Sequence, residues 1–231
     1  MNPEQFLLAE AGRRGETDYR FSWGTYIGWN LLTFGIYSHY ATYKLVERRR
    51  EHAQRRLAFS SYLWHALAAR ADSLGRRAEV QEGLDHLSRI HAQIESYERK
   101  NKRDPALWTI LRFVAAPVGA YVNHFLNADF RFLDTWESSF SQNVEWVLQR
   151  LGLPAGLPAR TRQTPVRSTA VYVLLTIVTL GLFAIWWRYA MMKDGNDHFD
   201  EDDAVENAIL RGMGIAGHSA APPPPMAPGM S

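Results

Sequence analysis

Apolar residues gather in three blocks of this chain, 21–44, 105–127 and 169–192, and the stretches between them carry most of the charge. Each block has roughly the ~20 residues that one helix needs to cross a bilayer. Each is also interrupted close to its centre, by Thr33 and Gly35, by Pro117 and Gly119, and by Thr179 and Gly181. Such breaks leave halves of about ten residues, which at 1.5 Å per residue reach about 15 Å, half the hydrocarbon thickness. The pattern predicts helix, break, helix three times over, as shallow re-entrant hairpins, with complete spans as the competing topology. The glycines have a second reading, in which a small residue lets neighbouring helices approach and the helix continues, above all at Gly181.

The intervening stretches also read as helical. Residues 1–20 form a polar lead with one short helix. In 45–104, Leu57, Trp64, Leu67 and Leu74 recur at helical spacing, as do Val80, Leu84, Leu87, His91 and Ile94. An antiparallel helical hairpin turning near Gly75 follows, with one apolar stripe per helix. Residues 128–151 form an amphipathic helix, its Leu133, Trp136, Phe140, Val144, Val147 and Leu151 opposite Asp134, Glu137 and Arg150. That stripe suits either a membrane interface or a place over the hairpin. Pro154, Pro158 and Pro165 mark 152–168 as a linker. Residues 193–231 read as a solvated acidic segment and a disordered proline-rich tail. The fold class is all-α: a membrane-associated helical protein with three broken apolar segments, a cytoplasmic helical hairpin and that tail.

Charge and aromatic placement sharpen this picture. A formal net charge of +2 hides an arginine-rich 48–103 and an acidic 194–206. The run ERRREHAQRR is either a solvated helical face or a contact with anionic headgroups through Arg48, Arg49, Arg50, Arg55 and Arg56, each contributing about 1 kcal/mol. Trp23, Trp29, Tyr40, Tyr43, Trp108, Trp186, Trp187 and Arg188 are the expected interfacial anchors. Basic residues bracket every block (Arg20 and Lys44, Arg103 and Arg131, Arg167 and Lys193), which places both ends of each on the cytoplasmic face. Arg112 and His124 lie inside the second block, where snorkelling to the headgroups is favoured over an ion or proton path. The N-terminus lacks the order of a signal peptide. Cysteine is absent, which excludes disulfides and thiolate sites.

Two stretches repeat each other. Tyr26–His52 and Tyr172–His198 align without a gap and share Tyr26/Tyr172, Thr33/Thr179, Gly35/Gly181, Tyr43/Tyr189 and His52/His198. Thr33, Gly35, Ile36, Tyr37, Tyr40, Tyr43 and Lys44 give the first stretch a T-x-G-I-Y, Y-x-x-Y-K signature. It resembles a small prokaryotic integral-membrane family known as domain of unknown function 4234, over Phe21–Arg131 and again, as a partial second copy, over Thr169–His198. That copy keeps Thr179, Gly181, Trp186 and Tyr189 and has Ala190 in place of the lysine. The arginine-rich insertion departs from a compact member. Because the family has no assigned activity, the resemblance implies location and architecture: a prokaryotic inner membrane with most polar segments cytoplasmic.

Candidate chemistry is sparse. The eight histidines do not pair at metal spacing on one helix, and His86 and His91 point to different faces. KDGNDHFDEDD has its glycine in the wrong place for a calcium loop. No nucleophile elbow, phosphate loop or H-E-x-x-H is present. No catalytic, cofactor or metal residues are therefore assigned, and no small-molecule substrate. The expected function is a non-enzymatic integral or monotopic membrane protein that anchors, scaffolds or shapes a bilayer, its partner the lipid. A homo-oligomer or protein partner stays open. Two other readings compete: a tethered adaptor using the arginine-rich hairpin on protein or nucleic acid, the latter disfavoured by interspersed acidic residues, and an oligomeric transport or channel component.

Overall fold

The computed structural model describes residues 3–215. The proline-rich tail lies outside them. The helices are α1 (Pro3–Gly12), α2 (Arg14–Thr17), α3 (Trp23–Leu32), α4 (Tyr37–Ser73), α5 (Arg77–Lys100), α6 (Pro105–Val114), α7 (Ala116–Arg150), α8 (Thr169–Val178) and α9 (Leu182–Gly212). No strand occurs among the described residues. Residues 153–168 run without helix, as the prolines require.

Three of these pairs, α3–α4, α6–α7 and α8–α9, are one design used three times. Each opens with a ten-residue helix whose N-cap side chain accepts a backbone N–H three residues on: Ser22 from Thr25, Asp104 from Leu107, Ser168 from Val171. Each short helix stops at a break residue (Thr33, Ala115 or Thr179) and turns into a helix of 31 to 37 residues. The first and third units share T-x-G at Thr33/Gly35 and Thr179/Gly181; the second has their shape without it.

The T-x-G breaks have a common mechanism. The Thr33 hydroxyl donates to Trp29 O at 2.7 Å and accepts from Tyr37 N at 3.0 Å, so one side chain closes the short helix and starts the long one. Thr179 does the same with Leu175 O and Phe183 N, at 2.8 and 2.9 Å. Gly35 N and Gly181 N reach back to Asn30 O and Thr176 O, which ends each short helix in a Schellman turn. Both glycines have positive φ, and so do the bulky residues before them, Phe34 (φ 50°) and Leu180 (φ 49°). The middle unit breaks differently. Ala115 is extended, and Pro117 sits in the first turn of α7, where its missing N–H costs nothing. Gly119 lies inside α7 and is no part of the break. A Cβ there would meet Arg112 Nε at 3.2 Å, so the glycine makes room for that side chain.

Two cores hold the units together. Near the tips, Tyr26, Ala41, Leu45, Val46, Val122, Phe125, Leu126, Trp187, Met191 and Met192 pack from all three units. Farther along, Leu63, Leu67, Leu84, Leu87, Leu133, Phe140, Val147 and Ile209 build a larger core. The stripe on 128–151 is buried there against α5, with Trp136 Nε1 donating to Ile90 O at 2.7 Å, so this stretch covers the hairpin and forms the continuation of α7. Gly83 permits the approach, since a Cβ would lie 2.6 Å from the Trp146 ring.

Candidate membrane face and buried ionic centre

The long helices run in the same direction, each away from its break, so the three breaks share one end of the molecule. His39 packs edge-on against Phe113 with ring centroids 5.2 Å apart, joining the first tip to the second. Arg112 Nη1 donates to Ser38 O at 2.7 Å and contacts the Thr42 hydroxyl. It therefore clamps α6 to α4 and does not snorkel, while His124 is exposed and bonded to Thr169, away from any internal path. What this end presents outward is apolar: Leu31, Leu32, Phe34 and Ile36; Phe113 and Val114; Ile177, Val178, Leu180 and Leu182. Phe34 is 97% exposed and Leu180 95%. A bulky side chain in the left-handed region is strained. Here it is also fully offered to the surroundings, at the same position of two units.

Among the expected anchors, Trp29, Tyr40 and Trp186 are exposed, and Trp23, Tyr43 and Trp108 are half-buried. Trp187 and Arg188 are corrected: both are buried between the units. The basic flanks are paired, Arg20 with Asp200 and Asp203, Lys44 with Glu47, Arg167 with Asp194 and Lys193 with Asp197. No described helix is long and apolar enough to cross a membrane.

The arginine run departs most from expectation. Arg48, Arg49, Arg55 and Arg56 are all at most 1% exposed, and Arg50 is half-buried, so the run is neither a solvated face nor a surface for headgroups or nucleic acid. Arg49 pairs with Glu98 and Asp129. Arg48 instead donates to Tyr19 O, Met191 O, Met192 O and Asn196 Oδ1, and burial pulls its pKa down to about 9. Arg55 bonds Asp18 and Glu206, and Arg56 bonds Glu137 and Glu206. The acidic stretch after Lys193 is corrected in the same way. It continues α9, and His198, Asp202 and Glu206 are buried.

At the heart of this network the units meet at equivalent positions. His52, Asp134 and His198 each lie nineteen residues beyond the break residue of their unit. His52 Nδ1 is 2.9 Å from Asp18 Oδ1, and His198 Nδ1 is 2.7 Å from Asp134 Oδ1. Both Nε2 atoms turn towards Glu137 and Asp202: His52 Nε2 lies 2.9 Å from Asp202 and 3.5 Å from Glu137, His198 Nε2 3.5 and 3.4 Å from the same two. Arg160, from the linker, reaches in to contact Asp202 and lies 2.6 Å from Glu137 Oε2. Burial works against the His52 imidazolium, yet Asp18 and Glu137 overcome it and raise that pKa; at His198 burial prevails and lowers it. Sequence reasoning registered His52 and His198 only as matching repeat positions. Asp202 follows His198 by one turn of α9, and the other partners come from three further segments, at Asp18, on α7 and at Arg160, which no spacing on one helix reveals.

Residues 167–215 match the family model described as Domain of unknown function (DUF4234). The matched segment is the third unit, the one read from the sequence as a partial copy. The fuller signature at Tyr26–Lys44 lies outside the match. Within the matched residues fall the Thr179 break, the exposed Leu180, and His198, Asp202 and Glu206 of the ionic centre. No curated protein and no solved structure matches the chain.

Proposed function

We propose that this protein is a monotopic membrane anchor or scaffold, which seats three apolar hairpin tips in one leaflet and keeps its ion-paired helical body in the aqueous phase. The observation that carries this reading is the shared placement of the tips, with ten large apolar residues exposed at one end of an otherwise well-packed chain. Each tip helix has ten residues and reaches about 15 Å, one leaflet deep. Tyr40, Trp29 and Trp186 lie behind the tips, where an amphipathic ring favours the headgroup level. With the arginine run buried, attraction to anionic lipid falls to the exposed Lys102 and Arg131.

Moving Phe34, Val114 and Leu180 from water into hydrocarbon gains about 1.5–3 kcal/mol each. Aspartate at the same depth costs about 3 kcal/mol each. The triple variant F34D/V114D/L180D therefore loses more than ~10 kcal/mol of insertion energy, while none of the three positions is in a core. In flotation with vesicles of zwitterionic and anionic phospholipid, the native chain rises with the lipid and the variant, equally helical by circular dichroism, stays below. A variant that floats as well as the native chain overturns the proposal. So does a native chain that ignores vesicles and self-associates in buffer.

A further inference from the structure

We infer that His52, Glu137, His198 and Asp202 form a binding site for one divalent first-row metal ion, a structural centre that ties the three units together. The donor set is two imidazoles and two carboxylates, all buried, whose ligand atoms lie within 4.8 Å of one another. Zn–N and Zn–O bonds of about 2.0–2.2 Å in a tetrahedron place neighbouring donors about 3.4 Å apart. His198 Nε2 lies 3.4 Å from Glu137 Oε2 and 3.5 Å from Asp202 Oδ2, and His52 Nε2 lies 2.9 Å from the same Asp202 oxygen; its 3.5 Å approach to Glu137 is to the other oxygen, Oε1, which Arg56 holds. Small side-chain rotations complete the tetrahedron.

A second, independent observation points to a ligand. His52 Nε2, His198 Nε2, Glu137 Oε2 and both Asp202 carboxylate oxygens are buried and meet one another and Arg160 in ionic contacts that lack hydrogen-bond geometry. Buried polar groups left in that state are costly, and these converge on one point. Each imidazole has its Nδ1 held by a carboxylate, Asp18 or Asp134, the arrangement that orients a metal-bound histidine and presents the Nε2 lone pair. Zinc, iron(II) and manganese(II) suit such mixed nitrogen and oxygen donors. Four protein ligands deep in a helical body describe a closed, structural site.

Arg160 occupies the approach. Its Nε, Nη1 and Nη2 make no hydrogen bond, although the side chain is pressed against Glu137 and Asp202. Around the centre, Asp18, Asp134, Glu137, Asp202 and Glu206 face Arg14, Arg55, Arg56 and Arg160. With Arg160 withdrawn and both imidazoles neutral, the carboxylates around the centre outnumber the guanidiniums, an imbalance that a bound cation redresses. The linker is free of helix, so Arg160 can withdraw without unwinding one. A surface pocket lined by Asp134, Arg162, Asp194, Asp197 and His198 opens beside it as a route of entry.

The test uses the full chain, purified in nonionic detergent, stripped with EDTA and titrated with Zn2+ by calorimetry, with metal content by mass spectrometry. The expected result is one Zn2+ per chain, a higher Tm with zinc, and at least 100-fold weaker binding in His198→Gln. Arg160→Ala should bind at least tenfold more tightly than the native chain. Should His198→Gln not fold, Co2+ loading of the native and Arg160→Ala chains provides the second readout, through visible bands of a four-coordinate, nitrogen-ligated ion. Failure of the native chain to bind Zn2+ stoichiometrically overturns the inference. Equally fatal are undiminished binding by a folded His198→Gln and the absence of four-coordinate Co2+ bands.

Discussion

Glu206→Gln probes the ionic centre through one atom. Glu206 is fully buried, and its oxygens accept from Arg55 Nη1 at 2.7 and 2.9 Å, Arg56 Nη1 at 2.6 Å and Arg14 Nε at 2.7 Å. Burial alone would raise its pKa; Arg55, Arg56 and Arg14 outweigh it and bring the value from 4.5 down to about 2. At 1.36 kcal/mol per unit this corresponds to about 3 kcal/mol of stability at neutral pH. Loss of one member of a buried ion pair typically costs 3–5 kcal/mol, because the partner's charge stays behind. Because the folded pKa is depressed, the contribution is complete above the unfolded value near 4.5 and disappears as pH falls through about 2. Urea unfolding followed by tryptophan fluorescence should therefore find Glu206→Gln about 3–5 kcal/mol less stable at pH 7. That gap should narrow steadily below pH 5. Asp18, Asp134 and Glu137 are also depressed, so the native chain loses stability over the same range, and the difference between the two proteins isolates Glu206. A gap below 1 kcal/mol at pH 7, or one that does not shrink in acid, would refute the view of the network as ionised and mutually stabilising.

Other consequences are as direct. Gly195→Ala puts a Cβ 2.3 Å from Arg48 Nη2, a guanidinium fixed by backbone carbonyls; overpacking of about 1–3 kcal/mol should exceed the ~1 kcal/mol of helix propensity gained, and denaturant midpoints will show the sign. Thr179→Val removes the hydroxyl that closes α8 and starts α9, and should cost about 1–2 kcal/mol in the same assay, with a native Tm as the contrary result. Gly75→Cys and Gly156→Cys, in a chain without native cysteine, should react with an impermeant thiol reagent from the same side of sealed vesicles; labelling from opposite sides rules out hairpins confined to one leaflet.

Much of the architecture was legible because its causes are local. T-x-G marks two breaks since a threonine hydroxyl and a left-handed glycine act within a few residues, and Asp104-Pro105 marks a helix start for the same reason. The middle break was expected at Pro117 and Gly119 and lies at Ala115, because that residue acts through its extended backbone, with no side-chain signature. Burial of the arginines was illegible for the opposite reason. Arg55 and Arg56 find Glu206 some 150 positions away. A helical face read in isolation therefore looks solvated. The histidines were visible as equivalent places in a repeat, and only the packing of three units turns equivalence into proximity.

The equal count from break to centre makes the molecule a ruler. The long helices reach His52, Asp134 and His198 15, 18 and 16 residues past their first residues, a rise of about 22–27 Å, so the three tips stand at similar heights above them. If the tips rest at the bilayer midplane, about 15 Å is consumed by hydrocarbon, which suspends the centre about 10 Å outside it, level with the headgroups. A single inserted residue in any one long helix would lift one leg of this tripod and rotate its centre residue by about 100°, and the other two legs would record the mismatch.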